Sequence, residues 1–276
     1  PGAVWVGGAL LLPAFPSEAE VGRVSVVELE HVTVTYHTPS GETRAVEDLS
    51  LRIEDGEFVS IVGPSGCGKS TLLSVIAGLV RPDRGEVRVG GLPVRGPNPA
   101  VGYMLQQDHL FDWRTVLDNC LLGLEVQGRR TPSAVARVRR LLRDYGLGEF
   151  AHRFPAQLSG GMRQRAALVR TLAMDPKVLL LDEPFSALDY QTRLQLEDEV
   201  SQILRSQGRT VIMVTHDIAE AVSMADRVIV LTHRPARVKR EYVIDLHPRR
   251  SPVQVRESPD FSRYFRDIWR DLDVHI

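Results

Sequence analysis

The sequence predicts an α/β fold, in which a core of parallel strands carries an N-terminal antiparallel β subdomain and an inserted α-helical subdomain. Three observations lead to this prediction. A glycine-rich loop at residues 63–70 lies between an apolar run and a helical one, in the order strand, loop, helix. The segments 178–182, 210–215 and 227–231 each contain a continuous run of four apolar residues, which is typical of parallel strands that are buried on both faces. Between the loop and these runs, helical periodicity over residues 115–145 interrupts the alternation of strands and helices.

Length, charge and cysteine content limit the class of protein. A chain of 276 residues can form one large or two modest domains. The formal net charge of -1 argues against a basic nucleic-acid binder. Two cysteines give no disulfide framework, so a reducing compartment is expected. No apolar run reaches the roughly 20 residues that a membrane-spanning helix needs.

The N-terminal part of the chain divides into an extension and a β subdomain. Residues 1–23 lack the basic first region and the clean cleavage site of a signal peptide. We expect a disordered extension here, with a packed or membrane-touching segment as the alternative. Residues 24–36 alternate apolar and polar side chains as an antiparallel strand does, and residues 49–53 form a second strand after a turn. Tyr36 is placed to stack on an adenine ring, and an ordinary strand aromatic is the alternative.

The glycine loop predicts a phosphate site. Residues 63–70, Gly-Pro-Ser-Gly-Cys-Gly-Lys-Ser, fit the pattern G-x-x-x-x-G-K-[ST] after an expected strand at 58–62. Backbone N–H groups of such a loop converge on phosphate oxygens, and the following helix adds partial positive charge. Lys69 supplies a point charge near the β- and γ-phosphates, and Ser70 offers a hydroxyl to Mg²⁺. The alternative is an ordinary glycine-rich turn between a strand and a helix.

A block of helices is expected after a buried strand at residues 101–105. Thr115 is placed to cap one helix, and Thr131, followed by proline, opens a second. The simplest account is a small helical subdomain inserted into the core. A further helix begins at residues 159–161, where the N-terminus could bind an anion, although this signal is weak alone.

Polar residues follow two of the expected core strands at their carboxyl ends. Asp182 ends one strand and is placed to hold Mg²⁺, and Glu183 is placed to orient or activate water. The alternative is an acidic surface turn. His216 follows the strand at residues 210–215, and from the same edge of the sheet it could reach a γ-phosphate.

The C-terminal residues from 236 onwards predict a strand-like segment and then an amphipathic helix. The apolar positions of this helix have helical spacing: Phe261, Tyr264, Phe265, Ile268, Trp269 and Leu272. Docking onto the chain's own core is the favoured interpretation, and a contact with a partner or membrane subunit is the alternative.

Taken in order, these motifs resemble those of the ATP-binding subunit of an ABC transporter over residues 24–231. Residues 63–70 are similar to the family's Walker A loop, residues 179–183 to its Walker B strand, and residues 158–162, Leu-Ser-Gly-Gly-Met, to its signature. The single residues that match other motifs of the family are Gln106 (Q-loop), Asp189 (D-loop), His216 (switch) and Tyr36 (the aromatic that stacks on adenine).

The resemblance implies that the chain binds and hydrolyses ATP with Mg²⁺. The nucleotide-binding residues that it implies are Tyr36, Gly63, Pro64, Ser65, Gly66, Cys67, Gly68, Lys69, Ser70, Thr71, Gln106, Ser159, Gly160, Gly161, Asp182 and Asp189. The implied metal ligands are Ser70, Gln106 and Asp182. The implied catalytic residues are Glu183, His216, Lys69 and Gln106.

The resemblance also implies the domain organisation. A RecA-like P-loop core with the antiparallel β subdomain is expected at residues 24–108 and 166–235. The helical subdomain, with the signature, is expected at 109–165. A C-terminal extension that ends in the amphipathic helix covers 236–276.

The assembly is likewise implied by the resemblance. With one Walker A loop and one signature in each chain, two copies would form a head-to-tail dimer that encloses two ATP molecules. A separate transmembrane permease, a solute-binding protein in the complete system and a position on the cytoplasmic face of the cell membrane are also implied, with no nucleic-acid partner. Residues 158–165 and 233–237, together with Trp113, resemble the nitrate, sulfonate and taurine importer group.

The alternative function is that of a soluble ABC ATPase in DNA maintenance or translation. DNA-repair relatives insert long coiled coils between the Q-loop and the signature, whereas this chain has a short helical block there. Translation relatives fuse two such domains, and this chain has one. Phosphate-loop kinases and GTPases have no use for residues 158–162 or His216. The importer subunit is therefore the favoured function.

Overall fold

The structure is a computed structural model that describes residues 4–6, 9–11, 25–39, 41–186, 188–246 and 251–272. Within these ranges the strands are β1 Val4–Val6, β2 Ala9–Leu11, β3 Ser25–Thr38, β4 Gly41–Glu54, β5 Phe58–Val62, β6 Arg84–Val89, β7 Leu92–Pro93, β8 Val101–Met104, β9 Val178–Asp182, β10 Thr210–Thr215, β11 Arg227–Leu231 and β12 Val238–Val243. The helices are α1 Lys69–Ile76, α2 Val116–Val126, α3 Pro132–Asp144, α4 Gly160–Leu172, α5 Tyr190–Ser206, α6 Ile218–Met224, α7 Pro252–Arg256 and α8 Phe261–Asp271. Short 3₁₀ helices cover Gly148–Phe150 and Pro155–Gln157.

The larger sheet of the described part has the strand order β12-β11-β5-β10-β9-β8. Its strands pair in parallel except β12, which is antiparallel to β11 at one edge. Every residue of β5, β9 and β10 is buried. Alternate residues belong to two hydrophobic clusters, so that Phe58 and Val62 face one cluster and Val59 and Ile61 the other. Both faces are therefore covered, and the predicted α/β fold is confirmed.

The register of the central strands brings their carboxyl ends level. Val214 of β10 is paired with Ile61 of β5 on one side and with Asp182 of β9 on the other. The segments that leave these three strands therefore start side by side at one edge of the sheet.

The smaller antiparallel sheet has the order β4-β3-β6-β7. Its second strand, β4, is longer than the expected 49–53, because the pairing with β3 continues to the Gly41 turn through several register shifts. At these irregularities the alternation of buried and exposed residues is lost, as at the adjacent buried pair Ala45 and Val46. A strand without strict alternation gives no period-2 signal, which is why the sequence pattern did not reveal it.

The helices between β8 and β9 begin at the predicted caps. Thr115 Oγ1 accepts a hydrogen bond from Asp118 N at 3.2 Å, and Thr131 Oγ1 accepts one from Ala134 N at 3.2 Å. Such caps satisfy backbone donors that the first turn leaves unpaired. The following α4 runs unbroken from Gly160 to Leu172, across the expected boundary between the helical subdomain and the core at 165/166. The position of that boundary stays a prediction.

The amphipathic helix α8 packs on the chain's own core. Ile268 is fully buried, and α8 contacts α6 and β12. The partly buried residues of the same face are Phe261, Tyr264, Phe265 and Leu272. Trp269 is 37% exposed and stacks on Phe265. The favoured interpretation, docking onto the core, agrees with these contacts.

The N-terminal residues that were expected to be disordered contain a described hairpin, in which β1 is antiparallel to β2. The rest of the 1–23 extension lies outside the described residues, as do residues 247–250 and 273–276 of the C-terminal extension. No helix in the described ranges is long and apolar enough to cross a membrane.

Several carboxylates are buried in the core beside arginines or hydroxyls. Glu57 pairs with Arg227 at 2.7 Å, and Glu197 pairs with Arg256 of α7 at 2.5 Å. Glu220, at 4% exposure, accepts a hydrogen bond of 2.5 Å from Thr215 Oγ1. Burial disfavours the ionised form and raises the pKa of Glu220 to about 8 and that of Glu197 to about 7.

The substitution Glu220→Gln is expected to remove one pH-dependent loss of stability. In the native parent, Glu220 keeps its proton up to about pH 8, whereas in the unfolded chain its pKa is the ordinary 4.5 of a glutamate side chain. The parent's free energy of unfolding therefore falls as the pH rises through this window, because the native state binds the extra proton. The amide side chain does not titrate and can still accept from Thr215. The variant should be more stable than the parent by at least about 1 kcal/mol at pH 8.5, with a smaller advantage at pH 5.5, as measured by urea unfolding.

The exposed Glu149, changed to Gln, is the matched control, and it should follow the parent at both pH values. A stability difference between parent and Glu220→Gln that does not change with pH would contradict this account of the buried carboxyl group.

Candidate functional site

A cleft of about 490 Å³ lies at the carboxyl edge of the large sheet, where β5, β9 and β10 end. Its lining residues are Ser65, Gly66, Gly68, Lys69, Ser70, Thr71, Gln106, Glu183, His216 and Arg234. A larger cleft of about 610 Å³ lies on the antiparallel sheet and is lined by none of the predicted site residues. The chemistry of the lining, not its volume, therefore identifies the candidate site.

The glycine loop folds back over the side chain of Lys69, which is only 7% exposed. Its Nζ donates to the carbonyl oxygens of Gly63 at 2.8 Å and Pro64 at 3.0 Å. Gly68 has φ +126°, and a Cβ atom there would lie 2.5 Å from the carbonyl oxygen of Ala45. Only glycine satisfies both conditions, so the loop's close approach to β4 depends on it.

Ser70 and Asp182 meet beneath the loop. Ser70 Oγ donates to Asp182 Oδ1 at 3.2 Å, and the hydroxyl of Tyr103 donates to Asp182 Oδ2 at 3.2 Å. Burial raises the pKa of Asp182, and the hydrogen bonds from Ser70 and Tyr103 act in the opposite direction. Burial, followed by the nearby Asp182 charge, also raises the pKa of Tyr103, which keeps the phenol a donor. A hydroxyl and a carboxylate in contact are the hard oxygen donors that Mg²⁺ takes, so these residues fit the expected metal.

Glu183 is held by two of the other three predicted catalytic side chains, Gln106 and His216. Its Oε2 accepts from Gln106 Nε2 at 3.0 Å and lies 3.2 Å from His216 Nδ1. Its backbone has φ +47°, a left-handed conformation that is uncommon for residues other than glycine. The N–H of Glu183 still donates to Val214 O at 2.9 Å, which anchors this turn to β10. The structure thus brings Gln106, Glu183 and His216 together.

The signature and D-loop residues do not line the cleft. Ser159 caps α4 by accepting from Met162 N at 3.4 Å, and Asp189 caps α5 by accepting from Thr192 N at 3.0 Å. The Thr192 backbone N–H also lowers the pKa of Asp189. The two helix starts touch, since a Cβ atom on Gly161 would lie 2.9 Å from Thr192 Cγ2. Gly160 is exposed beside them, so the N-terminus of α4 is open to solvent.

Tyr36 lies at the rim of the cleft. Its ring is 40% exposed, and its hydroxyl is 3.3 Å from Thr71 Oγ1, an atom of a lining residue. An exposed aromatic face next to the phosphate loop suits the predicted stacking on adenine.

Two residues of the site, Tyr103 and Arg234, belong to no site motif that the sequence reveals. Tyr103 reaches Asp182 because β8 lies next to β9, a neighbour relation that no local pattern shows. Arg234 donates from Nε and Nη2 to Gly66 O at 2.9 Å and 2.6 Å. One arginine among many carries no signal of its own, and its place depends on how the 232–237 turn returns to the loop.

Comparisons with known proteins agree with this geometry. A family model described as "ABC transporter" matches residues 46–186. An uncharacterised ABC transporter ATP-binding protein of Bacillus subtilis (strain 168) is 43% identical over 251 residues, which are 91% of this chain and 96% of the relative. A taurine import ATP-binding protein of Ruegeria pomeroyi is 37% identical, covering 89% of this chain and 93% of the relative. A nitrate transport protein of Klebsiella oxytoca is 40% identical, with coverages of 87% and 92%.

Among solved structures, the chain is similar to the dimeric structure of a post-hydrolysis state of an ATP-binding cassette bound to ADP and Pi. The TM-score is 0.70 at 34% identity, and the match covers 79% of this chain and 98% of the cassette.

Replacing Tyr103 with phenylalanine is expected to raise the pKa of Asp182. The change removes one O–H donor that stabilises the carboxylate and leaves the ring in place. A ¹³C NMR titration of the aspartate carboxyl groups, with the Asp182 signal assigned by Asp182→Asn, measures the shift.

Tyr190→Phe is the control, since Tyr190 is exposed at the start of α5. An Asp182 titration that is the same in Tyr103→Phe as in the parent would contradict the assigned contact.

Proposed function

The chain belongs to the ABC transporter family of ATP-hydrolysing proteins, and on that premise we propose that it is the motor subunit of an importer. In this proposal two copies close around two Mg-ATP and drive a separate transmembrane permease. The observation that carries the proposal is the Glu183 carboxylate, held by Gln106 and His216 at the end of the cleft that contains Lys69. The solute class that we propose is nitrate, sulfonate, taurine or a similar small solute, because importers of taurine and nitrate are among the relatives.

In the proposed hydrolysis, a water oxygen attacks the γ-phosphorus, and the bond from that phosphorus to the β–γ bridging oxygen breaks. Glu183 accepts the proton of the water, and Oε1 is the atom for this role because Oε2 already contacts Gln106 and His216. Lys69 offsets the charge on the transferred phosphoryl group, and His216 holds the γ-phosphate. Gln106 connects this arrangement to the helical block.

Ser70 and Asp182, with Gln106, would hold Mg²⁺, as the contact between the Ser70 hydroxyl and the Asp182 carboxylate supports. The metal supplies positive charge to the β- and γ-phosphate oxygens. The bonds from Ser70 and Tyr103 favour the ionised form of Asp182, the form that binds a cation.

The proposed dimer follows from the separation of two anion-binding features in one chain. The phosphate loop faces the cleft, whereas the exposed N-terminus of α4, at Ser159 and Gly160, lies outside its lining. A helix N-terminus binds anions through its free N–H groups, so a second copy placed head-to-tail would complete the site. Asp189, which caps the helix packed against Gly161, would lie near the seam. The similar cassette structure is dimeric, which supports this assembly.

The proposed permease contact is a groove of about 400 Å³ beside the Gln106 segment. Residues 106–110 and Asp112 line one wall, and the other wall is formed by Pro155, Ala156, Arg163 and Gln164. An ion pair of 3.1 Å between Arg163 and Asp108 joins the walls. Next to the groove, Trp113 is 73% exposed and stacks on Phe111 at 4.8 Å. An exposed aromatic pair at a groove suits a protein partner. In the proposed assembly, the chain lies on the cytoplasmic face of the membrane. The complete system also contains a solute-binding protein.

Changing Glu183 to glutamine is expected to stop hydrolysis and leave ATP binding intact. The amide keeps the size of the side chain but cannot accept the water proton, so kcat should fall by about 100-fold or more. ATP should then hold the variant as a dimer, which size-exclusion chromatography with light scattering measures.

Glu149→Gln serves as the surface control and should hydrolyse ATP at the parent rate. Glu183→Gln with the parent's turnover would show that Glu183 is not the base.

Changing Trp113 to alanine is expected to weaken capture of the permease. Affinity purification from detergent-treated membranes should recover a multi-span membrane protein with the parent chain and much less with the variant, because an exposed aromatic anchor is lost. The ATPase rate of the isolated variant should match the parent.

Leu92→Ala is the control, since Leu92 is equally exposed but lies on the antiparallel sheet. Recovery of the parent chain with DNA or ribosomes instead of a membrane protein would overturn the importer proposal.

A further inference from the structure

Arg234 is a cation of the cleft to which the family motifs give no role. It lines the same cavity as Lys69, Glu183 and His216. Both of its donated hydrogen bonds end on one acceptor, the carbonyl oxygen of Gly66 at the tip of the phosphate loop. A guanidinium group that donates twice to one carbonyl is held in a defined orientation, and charge-assisted bonds are stronger than neutral ones.

The turn that carries Arg234 is fixed to the rest of the protein independently of this contact. Thr232 N donates to Arg237 O at 3.0 Å, and Thr232 Oγ1 donates to Pro235 O at 3.0 Å. Ala236 N donates to Ala45 O at 2.9 Å, and Glu47 N donates to Ala236 O at 3.1 Å. Arg234 therefore extends from a rigid support.

The phosphate loop meets this support at two glycines. Gly66 has φ +70°, and a Cβ atom on it would lie 3.1 Å from Arg234 Nη2. A Cβ atom on Gly68 would lie 3.2 Å from Ala236 Cβ. The loop is thus packed under the 232–237 turn, and the Arg234 bonds hold the carbonyl of its exposed residue Gly66.

We propose that Arg234 is a positioning residue for phosphate binding: by holding the Gly66 carbonyl, it fixes the loop whose backbone N–H groups bind the nucleotide phosphates. In a peptide unit the carbonyl and the following N–H point in opposite directions, so a fixed Gly66 carbonyl also fixes the Cys67 N–H, which donates to Pro64 O at 3.2 Å and holds the loop in its folded shape. The positive charge of Arg234 in the same cleft favours polyphosphate ligands further. The inference rests on the proposed nucleotide site.

The action of Arg234 on the loop predicts a particular kinetic effect. The loop holds the phosphates in the ground state and in the transition state alike, so loss of Arg234 should raise KM and leave kcat nearly unchanged. A residue needed only for folding would not separate the two constants in this way.

The test compares Arg234→Ala, Arg234→Lys and a matched control, Arg237→Ala. Arg237 lies on the same turn but pairs with Glu47 at 2.7 Å, and it does not line the cleft. We expect Arg234→Ala to weaken ATP binding by about tenfold, the loss typical of one hydrogen bond from a charged donor. Arg234→Lys should recover part of the affinity, because it keeps the charge and one donor. Adenosine, which has no phosphate, should compete equally well in all variants.

Binding is measured by competition against a fluorescent ATP analogue, and turnover by phosphate release, with Lys69→Ala included. Equal ATP affinity in Arg234→Ala and the parent, while Lys69→Ala loses ATP, would overturn the inference and leave the nucleotide site standing. Equal losses in Arg234→Ala and Arg237→Ala would assign the effect to the turn as a whole and would also overturn it. Unchanged ATP binding in Lys69→Ala would overturn the nucleotide site itself.

Discussion

The register of three parallel strands is the constraint on which the rest of the structure depends. Because Val214 is paired with both Ile61 and Asp182, the chain leaves β5, β9 and β10 at the same height. Segments far apart in the sequence then meet over a few ångströms, and the phosphate loop, the acidic residues and His216 come together at one edge. A shift of one residue in either pairing would turn every side chain of the shifted strand to the opposite face of the sheet and would separate Ser70 from Asp182.

This convergence has an energetic cost that the surrounding packing offsets. Glu183 adopts a left-handed backbone, a conformation that costs on the order of 1–3 kcal/mol. It persists because its N–H continues the hydrogen bonding to β10 while its carboxylate contacts side chains from two other segments. Asp182 is ionised less readily than an exposed aspartate, and two hydroxyl donors partly compensate. The site is therefore held in place by the sheet, in which every residue of β5, β9 and β10 is buried.

Most of the site could be predicted from the sequence because its residues belong to local patterns. The apolar runs before Asp182 and His216 and the loop that ends at Ser70 are continuous in the chain, and each is recognisable without knowledge of its neighbours. Tyr103 and Arg234 are different, since each acts through a partner that is distant in sequence. The irregular half of β4 was missed for a related reason: its bulges remove the alternation that identifies a strand. Residues that belong to local motifs could thus be predicted from the sequence, whereas contacts between distant segments could not.

The buried pairs of carboxylate and arginine also have a consequence for the order of assembly during synthesis. Glu57 is made 170 residues before Arg227, and Glu197 is made 59 residues before Arg256. At about 5–20 residues per second, the arginine partners follow the two carboxylates after roughly 9–34 s and 3–12 s, respectively. Burying an unpaired ionised carboxylate is costly, so these parts of the core reach their native ion pairs only after the arginines have been made. The pace of synthesis therefore sets the earliest moment at which Arg227 of β11 can pair with Glu57 and the larger sheet can be completed.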